Sequence, residues 1–96
     1  MKVFILKTAK EDLREIYMRL LEFGKSITLQ FRQSFEKFCV LVTQTPLMYE
    51  QYTHDLKYRK AVIAFDYLIF YQVDVEKEVV MIYRALHGKR NIERLI

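Results

Sequence analysis

The sequence predicts a single α+β domain in which a helical hairpin packs on one face of a mostly antiparallel four-stranded sheet. Three observations support this fold: one apolar run near the N-terminus, two long segments with helical periodicity, and three strand-like apolar runs in the second half. The predicted order of elements is β-α-α-β-β-β. A chain of 96 residues is long enough for one such domain, residues 1–96, and too short for two.

The first strand and the first helix are predicted from residues 2–23. Four consecutive apolar residues lie within residues 2–7, which is typical of a buried strand. Thr8 followed by Glu11 has the spacing of a capping box, which predicts a helix from residue 9. One apolar stripe follows at helical spacing: Leu13, Ile16, Tyr17 and Leu20. Gly24 is predicted to end this helix at residue 23 in the left-handed conformation.

The second helix is predicted to follow almost at once and to end before Pro46. Its apolar residues are in helical phase: Ile27, Phe31, Phe35, Phe38 and Val42. We expect the aromatic stripe to belong to the core, and Cys39 to be an inert apolar filler. The short link between the helices predicts an antiparallel hairpin whose two apolar stripes face one sheet.

The second half of the chain predicts a long loop and three strands. The loop covers residues 44–56, the strands cover 56–63, 67–73 and 78–86, a tight turn covers 74–77, and a helical turn covers 91–95. Alternation along the second of these strands is predicted to direct Leu68 and Phe70 toward the helices. Tyr67, Ile69 and Tyr71 would then form an apolar opposite face, which indicates cover by a partner chain or a homodimer.

Positive charge is concentrated at the end of the chain. The net charge is +4, and residues 84–96 contain four basic residues against one acidic residue. We expect the following basic side chains to form an exposed tip where the last strand ends: Arg84, His87, Lys89, Arg90 and Arg94. Such a tip suits nucleic acid, an acidic protein partner or plain solvation.

Catalysis is a weaker alternative for this tip. Cutting RNA without a metal requires a base, an acid, and cations around the phosphorane. His87 is a candidate base or acid, and Arg59 and Arg84 are candidates for phosphate contacts. No motif marks a carboxylate to complete such a site, and a lone histidine at a strand end is more commonly structural.

Several functional classes receive no support from the sequence. No phosphate-binding glycine loop, nucleophile triad or zinc-like spacing is present, so no cofactor or metal is expected. His54 is expected to be an exposed loop residue. The single cysteine forms no internal disulfide, and no apolar run has the length of a signal-peptide core or membrane span. These features predict a cytoplasmic protein that does not enter the membrane.

Several segments, in this order, resemble the ParE branch of the RelE/ParE toxin superfamily of bacterial type II toxin–antitoxin modules. They are Ala9 to Tyr17 opening the hairpin, Pro46 after it, Arg59 before Tyr67 to Val73, and Ile82 to Asn91 with its His-Gly-x-Arg-Asn pattern. The resemblance covers nearly the whole chain. The sequence departs from it at Leu47 to Tyr49, where relatives commonly have glycine.

The resemblance implies a toxin of a plasmid-stabilisation module that arrests growth and is neutralised by a cognate antitoxin, in a homodimer or a toxin–antitoxin hetero-oligomer. ParE-type relatives target DNA gyrase, whereas RelE-type relatives cut messenger RNA on the ribosome. The leading hypothesis is a non-catalytic toxin that binds gyrase through the tip. A ribosome-dependent endoribonuclease and an inactive homologue that binds only its antitoxin are the alternatives.

Overall fold

A four-stranded mixed sheet carries a helical hairpin on one face in the computed structural model, which describes residues 1–96. The elements are β1 (Lys2–Ile5), α1 (Lys7–Leu21), α2 (Lys25–Gln44), β2 (Arg59–Ile63), β3 (Tyr67–Asp74), β4 (Val79–His87) and α3 (Ile92–Leu95). The strand order is β1-β4-β3-β2, with β1 parallel to β4 and the other pairs antiparallel. The predicted fold class is confirmed.

The start of α1 differs from the prediction. The N-cap residue is Leu6, in an extended conformation, and no side chain caps the helix, so the predicted capping box at Thr8 is wrong. The reason is that the amide of Leu6 still donates to the carbonyl of Ile82 at 2.9 Å, so the sheet continues to Leu6 and the helix begins directly afterwards. Thr8 therefore lies inside the first turn.

The link between the helices also differs in detail. Helix α1 ends at Leu21, and Glu22 at its C-cap keeps a right-handed helical conformation. Gly24 has φ 126° and ψ 160° and is the N-cap of α2, so its positive φ permits the reversal without being a left-handed C-terminal cap. Two helices joined this closely pack side by side, as predicted.

The main core lies between the hairpin and the sheet. It contains the predicted stripes of both helices together with alternate residues of the strands: Ala9, Leu13, Ile16, Leu20, Phe31, Phe35, Phe38, Val42, Ala61, Tyr67, Ile69, Tyr71, Val80, Ile82 and Ala85. The aromatic stripe of α2 is therefore core, as expected. Burying each large side chain of this kind stabilises the fold by about 1.5–3 kcal/mol.

The two faces of β3 are the reverse of the prediction. Tyr67, Ile69 and Tyr71 pack against the helices, and the last two are fully buried. Both faces of β3 are apolar, so alternation alone does not distinguish them. These three residues therefore do not form the exposed partner-binding face that was predicted, because that side of β3 belongs to the core.

The chain itself covers part of the outer face of the sheet. Phe70 and Leu86 form a second small core there with Tyr52 from the long loop, and Tyr58, Leu68, Ile92, Leu95 and Ile96 pack against that core. Phe4 and Val62, on the same face, remain 52% and 61% exposed. The loop and the C-terminal segment therefore cover only part of the face for which a partner chain was expected.

A β-bulge between β3 and β4 sets which side chains meet the helices near the end of β4. Phe70 pairs with Arg84, but the next residue, Tyr71, pairs with Ile82, so β4 contains one extra residue. Ile82 and Ala85 therefore both belong to the helix-side core although they are an odd number of positions apart. The shift also places His87 opposite Tyr67 on the helix side.

Candidate partner and target surface

Arg84 forms a clamp with Asp12 of α1. Its Nε donates to Oδ2 of Asp12 at 2.7 Å and its Nη2 to Oδ1 at 3.0 Å, a bidentate pair. The amide of Ala85 also donates to Oδ2 at 3.0 Å, and Nη1 of Arg84 donates to the carbonyl of Leu95 at 3.0 Å. One arginine thus connects β4 to α1 and to the C-terminal segment.

The clamp is largely removed from solvent. The side chains of Arg84 and Asp12 are only 20% and 9% exposed. Hydrogen bonding to Asp12 raises the pKa of Arg84 above its ordinary value, and the carboxylate charge adds to this, while burial opposes it. Arg84 was predicted to lie on the exposed tip; its donors instead satisfy acceptors of the same chain.

Arg59 and Tyr71 hold the loop between α2 and β2. Nη1 of Arg59 donates to the carbonyls of Tyr49 at 2.7 Å and Leu47 at 3.3 Å. The hydroxyl of Tyr71 donates to the carbonyl of Pro46 at 2.9 Å, and burial raises the pKa of Tyr71 to about 12. Arg59 therefore closes a loop through Nη1, and of the predicted phosphate-contacting pair only Arg84 has all three nitrogens hydrogen-bonded within the chain.

His87 lies at the end of β4 against the ring of Tyr67. The two ring centroids are 5.0 Å apart in an edge-to-face arrangement. Nδ1 of His87 accepts a hydrogen bond from the amide of Lys89 at 3.2 Å, which leaves Nε2 free to contact a ligand. A small recess beside the ring is lined by His87, Tyr67, Arg19 and Arg90, together with the clamp carboxylate.

Of the five residues predicted to form an exposed tip, Arg84 and His87 are partly buried and only Lys89, Arg90 and Arg94 are exposed; the name tip is kept for these three below. None of the five ion pairs of the chain involves any of them, and none of their side chains donates a hydrogen bond within the chain. Cations without internal acceptors are held only by water, so they are available to an anionic or polar surface.

Sequence reasoning missed two features of this region. Asp12 was not singled out, although it lies within the apolar stripe of α1, three residues after Ala9 and four before Ile16, where a carboxylate signals a buried partner. Exposed Phe23 and Phe65 were also missed. Phe65 has φ 61° in the turn between β2 and β3, and nothing in its sequence neighbourhood indicates this conformation.

The remaining titratable groups form no further centre. His54 is exposed, as expected, and its Nε2 lies 3.1 Å from Oε1 of Glu93. Burial raises the pKa of the Cys39 thiol to about 11, which disfavours the reactive thiolate. No group of three or more His, Cys, Asp or Glu side chains is arranged to hold a metal ion. None of the helices combines the length and the apolar character needed to cross a membrane.

Comparison with known proteins supports the fold and identifies a family. A family model described as the ParE toxin of the type II toxin-antitoxin system, parDE, matches residues 3–92. The toxin-like fold is also found in the intact E. coli RelBE toxin–antitoxin complex, with a TM-score of 0.67, 20% identity, and coverage of 93% of this chain and 98% of that one. The isolated E. coli RelE toxin gives a TM-score of 0.68 at 18% identity, covering 99% and 98%. No curated protein matches the sequence.

Proposed function

This chain belongs to the ParE toxin family of type II toxin–antitoxin systems, and we propose that it arrests growth in the cytoplasm by binding DNA gyrase through its basic tip. A cognate antitoxin neutralises it, in keeping with the toxin–antitoxin complex formed by the structurally similar RelE protein. The pair acts as a plasmid-stabilisation module.

The observation that supports binding over catalysis is the division of the basic residues. Arg59 and Arg84, which a phosphate-cleaving site would use, donate to carbonyl and carboxylate oxygens of the chain itself. Lys89, Arg90 and Arg94 have no such partners. The two arginines predicted for a phosphate-cleaving site are thus used within the fold, while the tip offers unpaired charge on the surface, and this favours docking.

His87 favours a second candidate, a ribosome-dependent messenger RNA endoribonuclease. His87 shares the small recess with Arg19 and Arg90, and the carboxylates of Glu15 and Asp12 line it too, so the recess combines titratable groups with two cations. This candidate differs from the predicted site, because Arg19 and Arg90 replace Arg59 and Arg84.

One experiment separates the two candidates. The chain is induced without its antitoxin, and plasmid supercoiling is compared with messenger cleavage mapped by primer extension. The proposal predicts loss of negative supercoiling and trapped, cleaved DNA with intact messages. Cleaved messages with normal supercoiling would select the endoribonuclease, and normal growth with soluble protein would leave a chain that only binds its antitoxin.

Arg90→Ala, with Arg14→Ala as its control, tests the tip. Both arginines are exposed, but Arg14 lies on α1 away from the tip. We expect Arg90→Ala to weaken gyrase inhibition by about tenfold, because it removes an interfacial charge, while Arg14→Ala inhibits as the parent does. Equal inhibition by both variants would exclude the tip as the effector.

A further inference from the structure

A second recess, which shares only Lys89 with the tip, lies at the end of the sheet beside the turn of the helical hairpin. Its volume is about 470 Å³, and its lining contains five apolar side chains and three basic ones but no carboxylate: Leu20, Phe23, Ile27, Phe65, Tyr67, Arg19, His87 and Lys89. Leu20 and Ile27 line it from the two helices. We call it the hairpin recess.

The hairpin recess exposes aromatic surface that the fold leaves uncovered. Phe23, in the turn between the helices, is 68% exposed, and Phe65, across the recess, is 40% exposed. These two aromatic side chains lie on one concave surface, and removing them from water would be favourable. A ligand that covers both would recover it.

The wall that holds Phe65 is rigid. Phe65 and Asp66 both have φ 61°, a left-handed conformation that is unfavourable for side chains other than glycine, asparagine and aspartate. Two hydrogen bonds maintain it: the amide of Gly88 donates to the carbonyl of Asp66 at 2.8 Å, and the amide of Ala64 donates to Oγ of Ser34 at 3.0 Å. Glycine suits position 88, because an added Cβ would approach that carbonyl to 3.2 Å. Phe65 is thus held in place before any ligand arrives.

The polar side chains that line the hairpin recess are all basic, although exposed Glu22 and Asp66 adjoin Phe23 and Phe65 in the sequence. Arg19 and Lys89 take part in none of the ion pairs of the chain. His87 adds a third polar group whose Nε2 is free. An apolar recess with an unpaired basic rim is complementary to an apolar side chain flanked by carboxylates.

We infer that the hairpin recess is the anchor site for an acidic segment of a protein partner, which inserts one large apolar side chain between Phe23 and Phe65 and places carboxylates on Arg19 and Lys89. Identification of this partner as the antitoxin rests on the proposed function. The existence of the recess and the chemistry of its partner follow from the lining residues and do not depend on the proposed function.

The geometry favours a peptide over single-stranded nucleic acid. Bases bind on flat aromatic faces that are open to solvent. Phe23 and Phe65 are exposed, but the third aromatic ring of the recess, that of Tyr67, is enclosed: it has Phe31 at 5.2 Å and His87 at 5.0 Å, both edge-to-face, and is only 4% exposed. Leu20 and Ile27 add aliphatic side chains, which suit a hydrophobic anchor rather than a base.

The test uses the full chain and a displayed library of random twelve-residue peptides. Selected peptides are made with a fluorescent label, and their Kd is measured by anisotropy. We expect enriched peptides to contain a large apolar residue flanked by Asp or Glu. Phe23→Ser and Arg19→Glu should each weaken binding by about tenfold, because each removes one half of the complementarity.

Two control variants match the pocket variants. Met18→Ser removes an equally exposed apolar side chain of α1, and Lys37→Glu reverses an exposed charge on α2; neither residue lines the recess. Both should bind the selected peptides within about twofold of the parent. Thermal melts of all four variants confirm that they are folded.

Three results would overturn the inference: no enriched peptide, enriched peptides without the acidic and apolar pattern, or peptides that bind the pocket variants and the parent equally. Binding of labelled oligo-uridine that is lost in Phe23→Ser would assign the recess to nucleic acid instead. Gyrase inhibition measured on the same variants keeps the proposals separate, because Phe23 and Arg19 lie outside the tip. A chain that binds the peptides but does not inhibit gyrase refutes the proposed function alone.

Discussion

Arg84 and Arg90 are six positions apart on one stretch of chain, yet their guanidinium groups have opposite surroundings. Arg84 donates to Asp12 and Leu95, and its side chain is 20% exposed. Arg90 is exposed and has no ion-pair partner. This difference shows that the positions of hydrogen-bond acceptors in the fold, and not the density of arginines in the sequence, distinguish structural cations from those available for binding.

The largest expected effect is that of Asp12→Ala. It leaves the guanidinium of Arg84 partly buried without its carboxylate and removes the acceptor of the Ala85 amide, which should lower the free energy of unfolding by about 3–5 kcal/mol. Urea denaturation followed by circular dichroism measures this. Glu11→Ala, which changes an exposed neighbour, should stay within about 0.5 kcal/mol of the parent. If the two variants are equally stable, Arg84 is not held by a clamp.

At alkaline pH the free energy of unfolding should depend on Tyr71 but not on the clamp between Arg84 and Asp12. The pKa of Tyr71 is raised from 10.0 to about 12, so an unfolded chain releases this proton first, and stability falls as the pH rises through this window. The loss should be about 2–3 kcal/mol. The hydrogen bond to Asp12 raises the pKa of Arg84 above its ordinary value, so Arg84 stays charged there and contributes nothing to the slope.

The control for this titration is Tyr71→Phe. It should be less stable than the parent at pH 8, because the bond to the Pro46 carbonyl is lost, but its stability should fall less between pH 10 and 12. Urea titrations at several pH values measure the slope for both proteins. Identical slopes would mean that another group titrates in this window.

Arg59→Met tests the second structural arginine. Removing its donors to the carbonyls of Tyr49 and Leu47 should cost about 1–2 kcal/mol, since the apolar stem can still pack. Hydrogen exchange should increase mainly in residues 45–58. Lys37→Met, which changes an exposed lysine of α2 that takes part in no ion pair, serves as the control and should leave exchange in this loop unchanged. Uniform exchange changes across the sheet would argue against a local role for Arg59.

The smallest expected effect on stability is that of Arg94→Ala, within about 0.5 kcal/mol of the parent, because the side chain is exposed and outside every ion pair. The difference in melting temperature between this variant and the parent should be the same at low and high salt, because Arg94 forms no ion pair that salt could screen. A marked, salt-sensitive loss would show that the tip is held by internal contacts.

The fold was predictable because its signals are local. Helical periodicity from Leu13 to Val42, two short links and the final hairpin determine most of the topology, and all three are visible in the sequence. The faces of β3 were not predictable, because Tyr67, Ile69 and Tyr71 are no more apolar than Leu68 and Phe70. The bulge before Arg84 also reverses which alternate residues of β4 face the helices, and no sequence pattern indicates it.

The site was predictable only in part, for an electrostatic reason. Sequence position identifies Lys89, Arg90 and Arg94 as a basic end, and they are exposed. Sequence position does not identify acceptors 72 residues away, such as Asp12 for Arg84. The hairpin recess depends on the left-handed turn at Phe65, which brings distant segments together, and no local pattern encodes that conformation.

The most direct test of the division between structural and binding arginines is gyrase inhibition per folded molecule, measured side by side for Arg84→Lys and Arg90→Ala. Lysine lacks the bidentate geometry, so Arg84→Lys should melt earlier but, below its melting temperature, inhibit as strongly as the parent. Arg90→Ala should melt with the parent and inhibit about tenfold less. Full inhibition by Arg90→Ala together with loss of inhibition by folded Arg84→Lys would show instead that Arg84 binds the target and Arg90 does not.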